Sequence, residues 1–301
     1  MTEIARNMDL TSGSQVDMPP SYGSQEYWDK RFTSEVEPFE WLGAPHVLDN
    51  FLHDALSNST EDEPKLLHIG CGTSMLSYHL RTVTKSPDQI HNVDYSHVAI
   101  ELGRRREKEL DRNDCFEDGQ NTSGNTRTTM RWDAVDLLDY KSVLAIFKPQ
   151  TYSMIVDKST SDCIACIDDV RLPLPYSIDI PSVTPLDLSI RETPEPVHPL
   201  HVLAVHLAYV TKPGARWVAL SYSSDRFPFC DGLYSSRPHV SGFPDTGMLW
   251  KLVSKAEIDS EEKEEIVVNA AGTVTYRPKV SHWVYILRRT EVPLTVRGGH
   301  L

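Results

Sequence analysis

Several features that would assign this chain of 301 residues to a class at once are missing from it. No apolar run approaches the ~18 residues needed to cross a bilayer, so no membrane span or membrane partner is expected. The opening stretch Met1–Asp17 is polar and has no apolar segment of signal-peptide length, which makes a cytoplasmic location the expectation. Basic excess is absent: 30 Lys and Arg stand against 43 Asp and Glu, a net charge of −13. A protein that grips a phosphate backbone needs a basic face, so nucleic acid is excluded as a partner. Five cysteines are too few and odd in number for a disulfide framework. Cys163 and Cys166 form a lone C-x-x-C with no second pair, and His201 and His206 are five apart, not four, so no metal site is expected. There is no phosphate-loop motif, no internal repeat and no Asn-Pro-Pro-Tyr or Asp-Pro-Pro-Tyr segment of the kind used on base amino groups.

What is present describes a globular domain. The apolar fraction is 40% and the charged fraction 24%, and a chain this long can bury a sizeable core. Residues 1–20 read as a loose tail ending in Pro19-Pro20. Aromatic residues then crowd together, with Trp28 and Phe32 four apart on one helical face. His46–Leu56 carries a helical stripe. Leu66–Ile69, Ile90–Val93, Met130–Val135 and Tyr152–Val156 are short apolar runs that read as buried strands, each followed by glycine or aspartate. Helices are expected at Met75–Arg81, His97–Arg112 and Leu200–Tyr209, and a surface loop over 113–128. Trp217–Tyr222, Met248–Val253, Val274–Tyr276 and Ser281–Leu287 are further strands, while acidic Lys255–Glu265 reads as an exposed loop or helix edge. Seven prolines within Arg171–Pro199 mark an insertion, expected to be a lid. The alternation predicts a doubly wound α/β fold with an antiparallel C-terminal edge: one domain over 21–290 and a tail over 291–301.

In such sheets ligands bind beyond the carboxyl ends of the strands, where Gly70-Cys71-Gly72 sits. Asp94 follows Gly72 by 22 residues, at the next strand end, where a carboxylate can take both hydroxyls of a ribose. The third glycine of a dinucleotide site is replaced by Met75, so S-adenosylmethionine, which has no phosphate, is preferred to a nicotinamide cofactor. Asp136, closing the third strand, is placed to meet an adenine edge.

These residues also carry a resemblance. Ser21-Tyr22-Gly23-Ser24-Gln25-Glu26-Tyr27-Trp28-Asp29-Lys30-Arg31-Phe32, then Pro38-Phe39-Glu40-Trp41, Ile69-Gly70-Cys71-Gly72, Val93-Asp94-Tyr95-Ser96 and Asp157-Lys158-Ser159-Thr160, resemble in order the methyltransferase-like family that includes the elongation-factor-1-alpha lysine methyltransferases. The resemblance implies a seven-stranded class I (Rossmann-like) methyltransferase fold, S-adenosyl-L-methionine as cofactor, and a cofactor site lined by Trp28, Phe32, Gly70, Asp94, Tyr95, Asp136, Leu137 and Lys158. Ser159 departs from the family's glycine at that position.

Methyl transfer requires an acceptor held in line with its lone pair free. Asp157, at the tip of the fourth strand, and Asp162, further along the same loop, are the candidate catalytic carboxylates for steering an acceptor proton; each could instead cap a helix or loop. Trp28 and Phe32 could equally pack the N-terminal helix. The expected activity is methylation of a nitrogen, first a protein lysine. The alternative is N- or O-methylation of a small molecule, such as a secondary metabolite, under the proline-rich lid. A non-catalytic cofactor-fold subunit is the reading from a different class.

Overall fold

Leu66-Leu67-His68-Ile69 forms the inner strand of a seven-stranded sheet in the computed structural model, which describes residues 20–35, 37–117, 128–181, 195–230, 240–259, 266–268, 274–276 and 281–297. Residues 1–19 of the expected tail and 182–194 of the insertion lie outside the described residues. In chain order the sheet strands are β1 (Leu66–Ile69), β2 (Ile90–Asp94), β3 (Arg131–Ala134), β4 (Tyr152–Lys158), β5 (Thr211–Ser221), β6 (Trp250–Asp259) and β7 (Ser281–Arg289). Their spatial order is β3-β2-β1-β4-β5-β7-β6. Five parallel strands are followed by β7, which runs antiparallel to both β5 and β6. This is the doubly wound sheet that the alternation of elements predicts, antiparallel C-terminal edge included.

Side-chain alternation divides the core between the two faces. From β1, Leu66 joins Leu52 and Ile100 on one face, whereas Leu67 and Ile69 join Trp217 and Leu203 on the other. Helices α2 (Asp49–Ser57), α3 (Leu76–His79) and α4 (His97–Glu117) supply the first face. The second face is closed by α5 (Tyr140–Ile146), α6 (Thr160–Ile164) and α7 (Pro199–Val210). α7 begins with proline, whose missing N–H is harmless in a first turn, and ten of its twelve residues are buried. A helix apolar all round must be covered on both sides. One side meets the sheet. Residues of the insertion, including Leu172, Leu174 and Tyr176, join the same cluster.

The described part of the expected lid packs on the core. Val170–Leu172 pairs antiparallel with Glu195–Val197, and Ile178–Asp179 pairs with Thr295–Val296. The described part of 171–199 is thus a pair of ribbons whose apolar side chains add to the core beside α7. Within the expected C-terminal tail, residues 295–297 are anchored, with Arg297 ion-paired to Asp179. Two further expectations change. The acidic stretch from Lys255 continues β6 as far as Asp259, paired to Ser281 of β7, because alternate polar side chains suit an edge strand. α4 runs on to Glu117, into the stretch read as loop. Val274–Tyr276 is a strand, paired in a hairpin with Ile266–Val268.

Candidate functional site

Both glycines after β1 have left-handed backbones, Gly70 at φ +52° and Gly72 at φ +48°, a region in which a side chain is strained. The turn that results aims the Gly72 N–H at Asp94. The Asp94 carboxylate accepts from Gly72 N at 2.9 Å through Oδ2 and from Ser96 N at 2.9 Å through Oδ1. β2 places this acid beside the turn because the two strands run parallel in register, Ile69 opposite Val93. Burial pushes the Asp94 carboxyl up to about 6, against the opposing pull of those backbone donors.

A cleft of about 910 Å³ opens over this turn, at the carboxyl ends of β1 to β4. All nine residues expected at a cofactor line it: Trp28, Phe32, Gly70, Gly72, Asp94, Tyr95, Asp136, Leu137 and Lys158. Its outer wall is α1 (Gln25–Ser34), capped by Ser24 and carrying Trp28 and Phe32 on its buried face. The two rings stack at 5.5 Å, and Trp28 Nε1 donates to the Tyr22 carbonyl at 2.8 Å. Packing the helix and lining the cleft are thus the same act. Asp136 is exposed at the rim, with Oδ1 accepting from Leu138 N at 2.8 Å. The Leu137 carbonyl accepts from His206 Nδ1 at 2.7 Å, and the Tyr176 hydroxyl donates to His206 Nε2 at 2.7 Å. Burial pulls His206 down to about 4, so a neutral imidazole ties the insertion to the cleft wall.

Glu40, not singled out from its motif in the sequence, holds residues of the cleft wall from behind. Oε1 accepts from Met75 N at 2.6 Å, Oε2 from Ser74 Oγ at 2.8 Å, and Lys158 Nζ is ion-paired to it. Lys158 also donates to the Gly43 carbonyl at 3.0 Å. Burial lowers its ammonium while Glu40 opposes the shift. One carboxylate therefore joins the N-terminal segment, the exit of the glycine turn and the end of β4. Ser159 carries φ +69°, and its buried hydroxyl has no hydrogen-bond partner among the described residues.

The two candidate catalytic carboxylates are not brought to this cleft. Asp157 is 0% exposed: Oδ1 accepts from Thr160 N at 2.9 Å and Ser161 N at 3.2 Å, and Oδ2 from Trp217 Nε1 at 3.2 Å. It closes the turn into α6 and holds a core tryptophan. Asp162 is ion-paired to Arg226 at 2.7 Å, accepts from Ser221 Oγ at 2.5 Å, and lines a second cavity. Burial first, then neighbouring Asp162, push the Asp157 carboxyl up to about 7 from an ordinary 3.8. A raised carboxyl favours the folded state fully below its unfolded value, and that advantage is lost as pH rises through 7. Asp157→Asn is therefore expected to keep cofactor affinity and to flatten the decline in melting temperature between pH 5 and pH 8. Parallel melting curves for both proteins would fail this account if the slopes were equal.

Among the described residues no group of three or more His, Cys, Asp or Glu is arranged to hold a metal ion. Nor is any helix among them long and apolar enough to cross a membrane.

No family model matches the chain. It is 36% identical over 150 residues to methyltransferase srdJ of Neurospora crassa, covering 50% of this chain and 57% of that protein. It is 28% identical over 144 residues to the eEF1A lysine and N-terminal methyltransferase of Mus musculus, covering 48% of this chain and 17% of the relative. To EEF1A lysine methyltransferase 4 of Bos taurus it is 26% identical over 146 residues, 48% of this chain and 46% of the relative. The matched stretch thus spans between a sixth and somewhat over half of the relatives' lengths.

Proposed function

We propose that the protein is an S-adenosylmethionine-dependent methyltransferase whose first acceptor class is a protein lysine. The observation that carries the cofactor is Asp94. A buried carboxylate, fixed between the glycine turn and the start of α4, lines the cleft at the carboxyl ends of the strands. The donor set fits the group. Asp94 would take the ribose hydroxyls, Asp136 and Leu137 the adenine, and the left-handed glycines would let the backbone approach the methionyl tail. The partnerless Ser159 hydroxyl beside the cleft is one more polar group that a ligand could satisfy. When bound, the cofactor supplies an electrophilic methyl group; the chain's part is to orient it, exclude water and present the acceptor.

The lysine reading rests on the names of two relatives and on the insertion. Its described residues pack beside α7 and none of them lines the cleft, which suits an acceptor presented by a large partner. A net charge of −13 suits a basic one. Calorimetric titration with S-adenosylmethionine, S-adenosylhomocysteine and NADH tests the cofactor: micromolar binding of the first two alone is expected, and a flat trace for both would end the proposal. Tritiated methyl transfer to purified eEF1A tests the acceptor. Label in protein lysine is the expected outcome, whereas label only in the small molecules of a cell extract would move the acceptor to a metabolite.

A further inference from the structure

Ser159 stands between the end of β4 and the first residue of α6, with its backbone in the left-handed region at φ +69° and ψ +6°. That conformation costs stability in any residue but glycine. The backbone groups themselves are satisfied: the N–H donates to the Leu220 carbonyl at 2.9 Å, and the carbonyl accepts from Cys163 N at 3.1 Å. The hydroxyl is not. The residue is 3% exposed, and its Oγ is buried without a hydrogen-bond partner among the described residues.

A serine that opens a helix ordinarily accepts from the N–H of the second or third helical residue. Here Asp157 takes the N–H groups of Thr160 and Ser161, at 2.9 and 3.2 Å, and the Ser159 side chain makes no cap bond. Its neighbours are occupied too. Lys158 donates to Glu40 and to the Gly43 carbonyl, and Thr160 Oγ1 donates to the Ile69 carbonyl at 2.9 Å. All three consecutive residues line the cofactor cleft, and the Ser159 hydroxyl is the side-chain group left over. Backbone strain and an unmet buried hydroxyl at one cleft-lining residue indicate a ligand contact.

The sheet order decides which part of the ligand. Asp136 and Asp94 close β3 and β2, and the strand order β3-β2-β1-β4 sets Ser159 on the far side of the glycine turn from both. With the adenosine half over β2 and β3, the methionyl tail leads past that turn toward the end of β4, one strand spacing of about 4.8 Å further on. We propose that the Ser159 hydroxyl binds the amino-acid end of the cofactor's methionyl tail, and that it is kept at a standing cost to the stability of the empty protein. The proposal rests on the cofactor reading above.

Ser159→Gly separates the cost from the benefit. Glycine removes the hydroxyl and relieves the left-handed backbone, so the ligand-free variant is expected to melt about 2–4 °C above the wild type. Calorimetry on the full chain is expected to show S-adenosylhomocysteine binding about tenfold more weakly, the loss of one good polar contact. 5′-Methylthioadenosine, which keeps the adenosine and the sulfur but lacks the amino-acid end, is expected to bind variant and wild type equally. Ser159→Ala removes the hydroxyl and keeps the strain; it should show the same loss of affinity with a smaller rise in melting temperature. The affinity test therefore stands even where the glycine variant folds poorly. Unchanged S-adenosylhomocysteine affinity in Ser159→Ala, an equal loss for 5′-methylthioadenosine, or a Ser159→Gly protein no more stable than the wild type would each overturn the proposal. The wild type is titrated first: if S-adenosylhomocysteine fails to bind, the cofactor reading falls and this one with it, whereas binding that neither variant weakens overturns the serine contact alone.

Discussion

Asp94→Ala is expected to weaken S-adenosylmethionine and S-adenosylhomocysteine binding by roughly 100-fold or more. A hydrogen bond to a charged acceptor contributes about 1.5–3 kcal/mol, and two ribose hydroxyls would share this carboxylate. The alanine also leaves the Gly72 and Ser96 N–H groups, now 2.9 Å from carboxylate oxygens, without those acceptors. Because burial pushes Asp94 up to about 6, the ionised form that accepts from the ribose is depleted in mildly acid solution. Wild-type affinity should therefore hold between pH 7 and pH 8 and fall about tenfold for each pH unit below 6. Asp94→Asn should bind more weakly at neutral pH and lose that dependence. Calorimetry from pH 5 to pH 8 separates the cases, and a wild-type affinity flat across the range would remove Asp94 from the cofactor site.

Gly70→Ala should be the most damaging single-methyl change in the described fold. The added Cβ would lie 2.2 Å from Thr160 Oγ1 and 2.6 Å from its Cγ2, on a backbone with φ +52°. Thr160 cannot swing aside freely, since its hydroxyl donates to the Ile69 carbonyl at 2.9 Å. The left-handed conformation costs about 1–2 kcal/mol for an ordinary residue, and the collision raises the total to the order of 4 kcal/mol. At Gly72 the same methyl would meet only the Phe32 ring, at 3.2 Å, so Gly72→Ala should be milder. Urea melts of the two variants should rank in that order; a Gly70→Ala protein as stable as the wild type would show that the turn is not closed by Thr160.

The parallel half of the fold was legible because its strands are buried on both faces and end at glycine or aspartate, as at Ile69-Gly70 and Val93-Asp94. Most of the nine cleft-lining residues were legible for the same reason, since a strand end fixes where the next side chain goes, whereas Trp28 and Phe32 on α1 came from the resemblance. Asp157 was misread because topology alone put it at a strand tip, while the three N–H groups that occupy it come from residues 160, 161 and 217. Glu40 was missed for a related reason. Its importance lies in partners 34 or more residues away, which leave no periodicity. That the described part of the insertion packs beside α7 was not legible, because proline reports irregular backbone and says nothing of which surface that backbone covers. The polar edge strand at Lys255–Asp259 looked like a loop because its side chains mostly face solvent, with β7 on one flank only.

The pairing of Ile178–Asp179 with Thr295–Val296 imposes an order on biosynthesis. Asp179 and Arg297 are 118 residues apart, so this part of the insertion stays unpaired until nearly all of the described chain has left the ribosome. β1 to β3, by contrast, are joined by short local crossovers and can pair early. Between those two moments Leu174, Tyr176 and the apolar flank of α7 are the surfaces most exposed to wrong partners, and Thr295–Val296 is the clasp that ends their exposure.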